Sequence, residues 1–202
     1  MNQVSRADVR PIRADEWLRV KELRLAALKD PVAPIAFLET YEEAAAKPDS
    51  FWQERAERAA DGTRVRQFVA EGPGGTWSGT VTVLIEEPDS DDVFGGAIQR
   101  RQAHVVGVFV RPEHRGSGVI DALFETAVEW ARSVPDVARV RLFVHEDNAR
   151  AETFYRRYGF ARSGVTVPMK GDPSKLEREM VLGERKGASD SAHDSPAGQQ
   201  LP

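Results

Sequence analysis

The chain has no cysteine, and that one absence closes several routes at once. Without a thiol there is no disulfide, no thiolate-bound metal and no cysteine nucleophile. Long apolar runs are missing too: nothing approaches the roughly 20 residues a helix needs to cross a bilayer. Residues 1–6 lead into no apolar segment of the kind that directs secretion. The expected location is therefore the cytosol, without membrane contact. An excess of positive charge is also lacking, since 28 Lys and Arg face 32 Asp and Glu for a net charge of -4. Nucleic-acid binding usually needs a basic patch, so no such partner is expected. Histidine is scarce, four residues in all, and no metal site is expected.

What remains suffices for one domain. A chain of 202 residues buries a substantial core but does not divide comfortably into two. A single domain is expected over residues 1–183. Beyond it, residues 184–202 turn to Gly, Ser, Asp, Pro and Gln, too little apolar surface to fold, and read as a disordered polar tail. His193 lies there and is set aside as a ligand.

Periodicity supplies the elements. A short strand at 9–12 precedes a helix over 16–29, with Asp15 as its N-cap and Trp17, Val20, Leu23 and Leu28 on its apolar face. Asp30-Pro31 and Pro34 break that helix; a loosely helical connector and a second helix capped by Asp49 or Ser50 follow. Strands at 64–71 and 76–87 form a hairpin around Gly72-Pro73-Gly74-Gly75. Residues 86–92 read as a solvated acidic connector. A strand at 137–145, a helix from Asn148 through Tyr158 stopped by Gly159, and strands at 165–167 and 179–182 complete the chain. Between those last two strands a loop is expected around Gly171-Asp172-Pro173.

The most informative stretch is residues 105–132, VVGVFVRPEHRGSGVIDALFETAVEWAR. It opens as a buried strand with Val106, Val108 and Val110 on one face, and Pro112 ends it. After a glycine turn, Val119, Leu123, Ala127 and Trp130 recur at helical spacing. A strand, a glycine turn and a helix start gather unpaired N–H groups at the positive end of a helix dipole. With Arg115 beside them, they could hold a phosphate, although an ordinary tight turn is as good a reading locally. No Gly-Lys-Ser/Thr follows, which excludes a Walker loop. A second stretch, Asn148 through Phe160, places Asn148 and Tyr155 two turns apart on one helix face. Taken alone, that pattern reads more simply as an N-cap and a core stripe, since aromatics at helical spacing are usually core.

Together the two stretches resemble the GNAT N-acetyltransferase superfamily. Val110-Arg111-Pro112, Arg115 and Gly118 match its acyl-CoA motif, and Asn148, Ala151, Phe154, Tyr155, Gly159 and Phe160 its later signature. Ile120 departs from the Gly or Ala usual there. The resemblance implies an α+β fold: a mixed, mostly antiparallel sheet of about seven strands with about four flanking helices, splayed between strands 4 and 5. It implies acetyl-CoA as cosubstrate and direct transfer of the acetyl group to a primary amine of a small molecule, protein or peptide; homodimers are common in the family. The backbone of Val108, Phe109 and Val110 would pair with pantetheine, and Arg115, Gly116, Ser117, Gly118, Val119 and Ile120 would hold the pyrophosphate. The N–H of Val110 would meet the oxyanion, Tyr155 would protonate the thiolate, and Asn148 would assist.

Phe143 stands where one subgroup has a catalytic Glu. His104 stands where another has its base, on the face of Val106, Val108 and Val110 by strand alternation, and imidazole titrates in the right range. Glu86, Glu87 and His145 are further candidates, and His114 reads as a turn residue. The competing readings are a non-catalytic acyl-CoA-binding regulatory module of the same fold and a nucleotide-binding protein using the same turn. The first two helices and the segments 86–101 and 164–175 would set the acceptor.

Overall fold

A computed structural model describes residues 8–183; the expectations for residues 1–6 and for the 184–202 tail lie outside that range. Seven strands form one sheet in the order β1-β2-β3-β4-β5-β7-β6. They are β1 (Asp8–Pro11), β2 (Val65–Glu71), β3 (Trp77–Glu86), β4 (Gln102–Val110), β5 (Val140–His145), β6 (Phe160–Met169) and β7 (Asp172–Leu182). Every neighbouring pair is antiparallel except β4 and β5, which run parallel. The α-helices are α1 (Trp17–Leu28), α2 (Tyr41–Ala45), α3 (Asp49–Ala60), α4 (Val119–Ser133) and α5 (Ala149–Tyr158). The expected α+β architecture is therefore present.

Each face of the sheet has its own core. On one side α4 and α5, with Phe160 at the start of β6, pack through Leu123, Phe124, Ala127 and Tyr155 against Val81, Val105, Leu142 and Val144. Phe124 is fully buried and meets the rings of Phe154, Tyr155 and Tyr158 at centroid distances of 4.9, 5.6 and 5.3 Å. On the other side α1 and α3 pack through Val20, Leu23 and Trp52 against Val69 and Phe109.

The parallel pair decides the architecture. β4 and β5 pair only at Ala103↔Val140 and His104↔Arg141, then part. An ion cluster fixes the apex of the gap. Arg141 is buried and donates to Glu86 at 2.7 Å, Asp92 at 2.9 Å and Glu179 at 3.0 Å. Glu86 and Asp92 thus belong to a packed cluster, which corrects the solvated reading at those two residues, while 88–91 between them are exposed as expected. The Asp92 carboxylate also accepts from the N–H groups of Phe94 and Gly96, which pins the turn before β4.

Local chemistry explains the other departures. The connector forms a fifth helix, α2, because Thr40 and Glu43 make a reciprocal capping pair: the Glu43 N–H donates to the hydroxyl and the Thr40 N–H to the carboxylate. Asp15 does not cap α1; the buried Glu16 takes the Arg13 N–H instead, at 2.8 Å. Pro48 caps α3, with Asp49 inside its first turn. The segment 164–175 is mostly strand, because β6 and β7 pair from Phe160↔Leu182 out to Met169↔Asp172.

Candidate active site

β4 carries a bulge where the gap opens. Thr80 pairs with Phe109 but Thr82 with Val106, so Val81 alone opposes Gly107 and Val108. Gly107 has φ +62°, a conformation that disfavours any side chain. The extra residue reverses the alternation. Ala103 and Val105 face α4 before it, Val108 and Val110 face α4 after it, and Phe109 joins the opposite core. His104 therefore lies on the face opposite Val108 and Val110, contrary to the period-two expectation.

Beyond the bulge, the Arg111 N–H donates to the Ser78 carbonyl of β3 at 2.9 Å. Alternation then turns the peptide groups of Phe109 toward β3 and those of Val110 toward the gap. The Val110 carbonyl is met there by Arg115 Nε at 3.1 Å.

A cavity of about 400 Å³ runs through the gap. Val108, Phe109, Val110, Arg115, Gly116, Ile120, Asn148, Tyr155 and His104 all line it, so the structure brings most of the residues singled out from sequence together. Ser117, Gly118 and Val119 do not line it. Ser117 and Gly118 are exposed on the turn, and Val119 is buried in the α4 core. Gly116 and Gly118 have φ +78° and +84°, and a Cβ on either would meet nothing, which leaves an open backbone cradle before α4. The Arg115 guanidinium is committed to the buried Asp30. Among these groups the turn's backbone is thus the part free to meet an anion. Ile120 is half-buried against the α4 core. Asn148 caps α5 through the Ala151 N–H, and its amide also reaches the Ile35 carbonyl at 3.4 Å.

The two faces of the gap differ in chemistry. Val140, Leu142 and Val144 of β5 face α4 and α5, so Arg141, Phe143 and His145 face the other way, with their β7 partners Glu179 and Glu177. His104 is on this second face. It is buried, and its Nδ1 lies 2.9 Å from Glu86 Oε1. Glu86, held below the usual carboxylate range by His104 and Arg141 against the cost of burial, stays ionised. It fixes Nδ1 as the protonated nitrogen, leaving Nε2 as the lone pair. Phe143, in place of a catalytic Glu, packs edge-on to His104 at 5.5 Å and against Phe94 at 4.6 Å. Glu87, by contrast, pairs with Arg101 at the surface.

Glu177 was not singled out from sequence. Its residue is 7% exposed, it lines the cavity, and its carboxyl has no hydrogen bond or ion pair among the described residues. Burial alone pushes its pKa up to about 7. His145, directly across the ladder, accepts the Asp147 N–H at Nδ1, and its buried Nε2 has no partner among the described residues. Burial and the Glu177 charge together raise the Tyr155 phenol, so it remains protonated at neutral pH. A Glu inside an alternating polar strand looks like a solvent-facing residue, and only its pairing with His145 at the gap reveals it.

A model of the acetyltransferase (GNAT) family matches residues 22–160. The L-amino acid N-acetyltransferase AaaT of Escherichia coli is 30% identical over 119 residues, 58% of this chain and 64% of that protein. The chain thus spans under two thirds of that relative's length. Among solved structures, yncA of Salmonella typhimurium with its cofactor acetyl-CoA superposes with a TM-score of 0.65 at 16% identity, covering 94% of this chain and all of that one. The PaiA N-acetyltransferase of Thermoplasma acidophilum with coenzyme A gives 0.63 at 16% identity, covering 87% and 98%.

Proposed function

Because the chain belongs to the acetyltransferase (GNAT) family, we propose that it moves an acetyl group from acetyl-CoA directly to a primary amine. The observation that carries this reading is the cavity running through parted parallel strands, with the Val110 peptide on one side and Tyr155 on the other. Pantetheine would take up the unpaired edge of β4, and the open turn at 116–118 the pyrophosphate.

The amine approaches from the face of His104 and Glu177. An alkylammonium has a pKa near 10 and must lose its proton before attack. His104 Nε2 takes it, with Glu86 stabilising the imidazolium that forms. Glu177, ionised above pH of about 7, holds the incoming ammonium on the same face. Nitrogen then adds to the thioester carbon, and the Val110 N–H donates to the oxyanion. As the C–S bond breaks, Tyr155 donates a hydrogen bond to the departing sulfur, and the proton still carried by the adding nitrogen leaves to that thiolate or to solvent. A raised phenol pKa makes it a constant hydrogen-bond donor, suited to a thiolate that itself leaves readily.

The test is release of free CoA thiol across a panel of amines. Tyr155→Phe is expected to lower kcat on the order of a hundredfold with acetyl-CoA binding retained. Turnover that survives the substitution intact would remove Tyr155 from the mechanism. Acetyl-CoA binding without transfer to any amine would favour the regulatory-module reading.

A further inference from the structure

The amine side of the cavity also holds a cation that no carboxylate contacts directly among the described residues. Arg55 of α3 lines the cavity, half-buried, and its guanidinium makes no hydrogen bond or ion pair among the described residues. Arg24 of α1 lines the same wall. Arg24 has a partner, since Glu39 accepts from its Nη2 at 3.0 Å, and Phe37 lies 4.5 Å from the guanidinium. Glu39, however, is already shared with Lys47. One carboxylate therefore pairs directly with two cations and reaches Arg55 only through its longer-range field.

Such an arrangement is costly without a further anion. Burial lowers the pKa of Arg55 and the neighbouring Arg24 lowers it further, more than Glu39 restores. A guanidinium has five donors in a planar fork that matches the two oxygens of a carboxylate. Behind Arg55 a pocket of about 20 Å³, bordered by the unpartnered Oε1 of Gln67, has room for one water. That water would occupy only part of the fork, and the pocket is too small for a phosphate. The polarity of the whole face points the same way. The free carboxyl of Glu177 suits an ammonium, and the free guanidinium of Arg55 suits an anion elsewhere on the same molecule.

We infer that Arg55, with Arg24 beside it, receives a carboxylate of the acceptor, so that the acceptors are amines that also bear a carboxylate. This rests on the acetyltransferase reading and adds the substrate class. The test compares phenylalanine, its carboxamide and phenethylamine, which share one aromatic group and differ in the carboxylate. The wild-type enzyme is expected to favour the acid over either neutral amine by about tenfold or more in kcat/KM. In Arg55→Met that ratio falls toward one, and Arg55→Lys, which keeps the charge but not the fork, restores part of it. Circular dichroism of both variants checks that they fold.

Calorimetry of the same three compounds with CoA bound reads the site without turnover. An equal kcat/KM for acid and neutral amines, or a ratio that Arg55→Met leaves intact, overturns the inference while the acetyltransferase reading stands. Selective, Arg55-dependent binding of the acid with no transfer to any of the three supports the carboxylate site and overturns the transfer reading.

Discussion

Glu177 makes opposite demands on stability and on function. Its carboxyl titrates at about 7 in the folded chain against an ordinary value of 4.5. Between those two values the folded state holds a proton that the unfolded state has lost. Stability therefore falls as pH rises from about 4.5 to about 7, then levels off, by up to about 3 kcal/mol. Glu177→Gln removes that slope. The difference in unfolding free energy between variant and wild type should widen in the variant's favour across this window, as read by denaturant titration at several pH values. The same substitution should raise KM for the amine above pH 7, where the lost charge matters. A difference in stability that is flat with pH would mean the carboxyl is solvated. The contrast with His104 shows what a residue's identity reveals. A histidine on an apolar strand was conspicuous in the sequence, whereas Glu177 sits among Leu176, Arg178 and Glu179 and looks like surface.

β4 is the element where sequence periodicity misled. Val105 through Val110 reads as uninterrupted alternation, and Gly107 gives no hint of which face follows it. The bulge opposite Val81 reverses that alternation, putting His104 on the amine face while Val108 and Val110 remain against α4. Gly107→Ala has space, with Thr82 Oγ1 at 3.6 Å from the new Cβ, so its cost comes from the backbone at φ +62°. We expect a loss of about 1–2 kcal/mol, measured by thermal unfolding, and a fall in kcat if the bulge is straightened. An unchanged melting temperature would show that the bulge is not held by glycine. The glycine turn and α4 were legible because each signal there is local: a proline, two glycines and a helical stripe. The capping pair that makes α2 was equally local but was masked by the alanine run. The full length of the β6–β7 hairpin was hidden because its strands are exposed and polar, with little apolar alternation to mark them.

In the whole molecule, the gap depends on one buried cluster at its apex. Arg141 joins Glu86 of β3, Asp92 of the following turn and Glu179 of β7 across the only paired residues of β4 and β5. Sequence could not show this, since Arg141, Glu179 and the neighbouring Glu86 and Asp92 come from three distant parts of the chain. Arg141→Met keeps the bulk but leaves carboxylates without their central cation, and should destabilise the fold by about 3–5 kcal/mol. The deficit should shrink in acid as the carboxylates protonate, which denaturant melts at two pH values would read. The central claim, however, is that the gap is an acetyl-CoA site, and the most direct measurement is calorimetric titration of the protein with acetyl-CoA, with ATP as control. Micromolar binding that ATP does not displace, weakened when Gly118 is replaced by a bulky residue, is the result the structure predicts. No heat of binding would mean that Ile120 closes the pyrophosphate cradle, and would contradict the account.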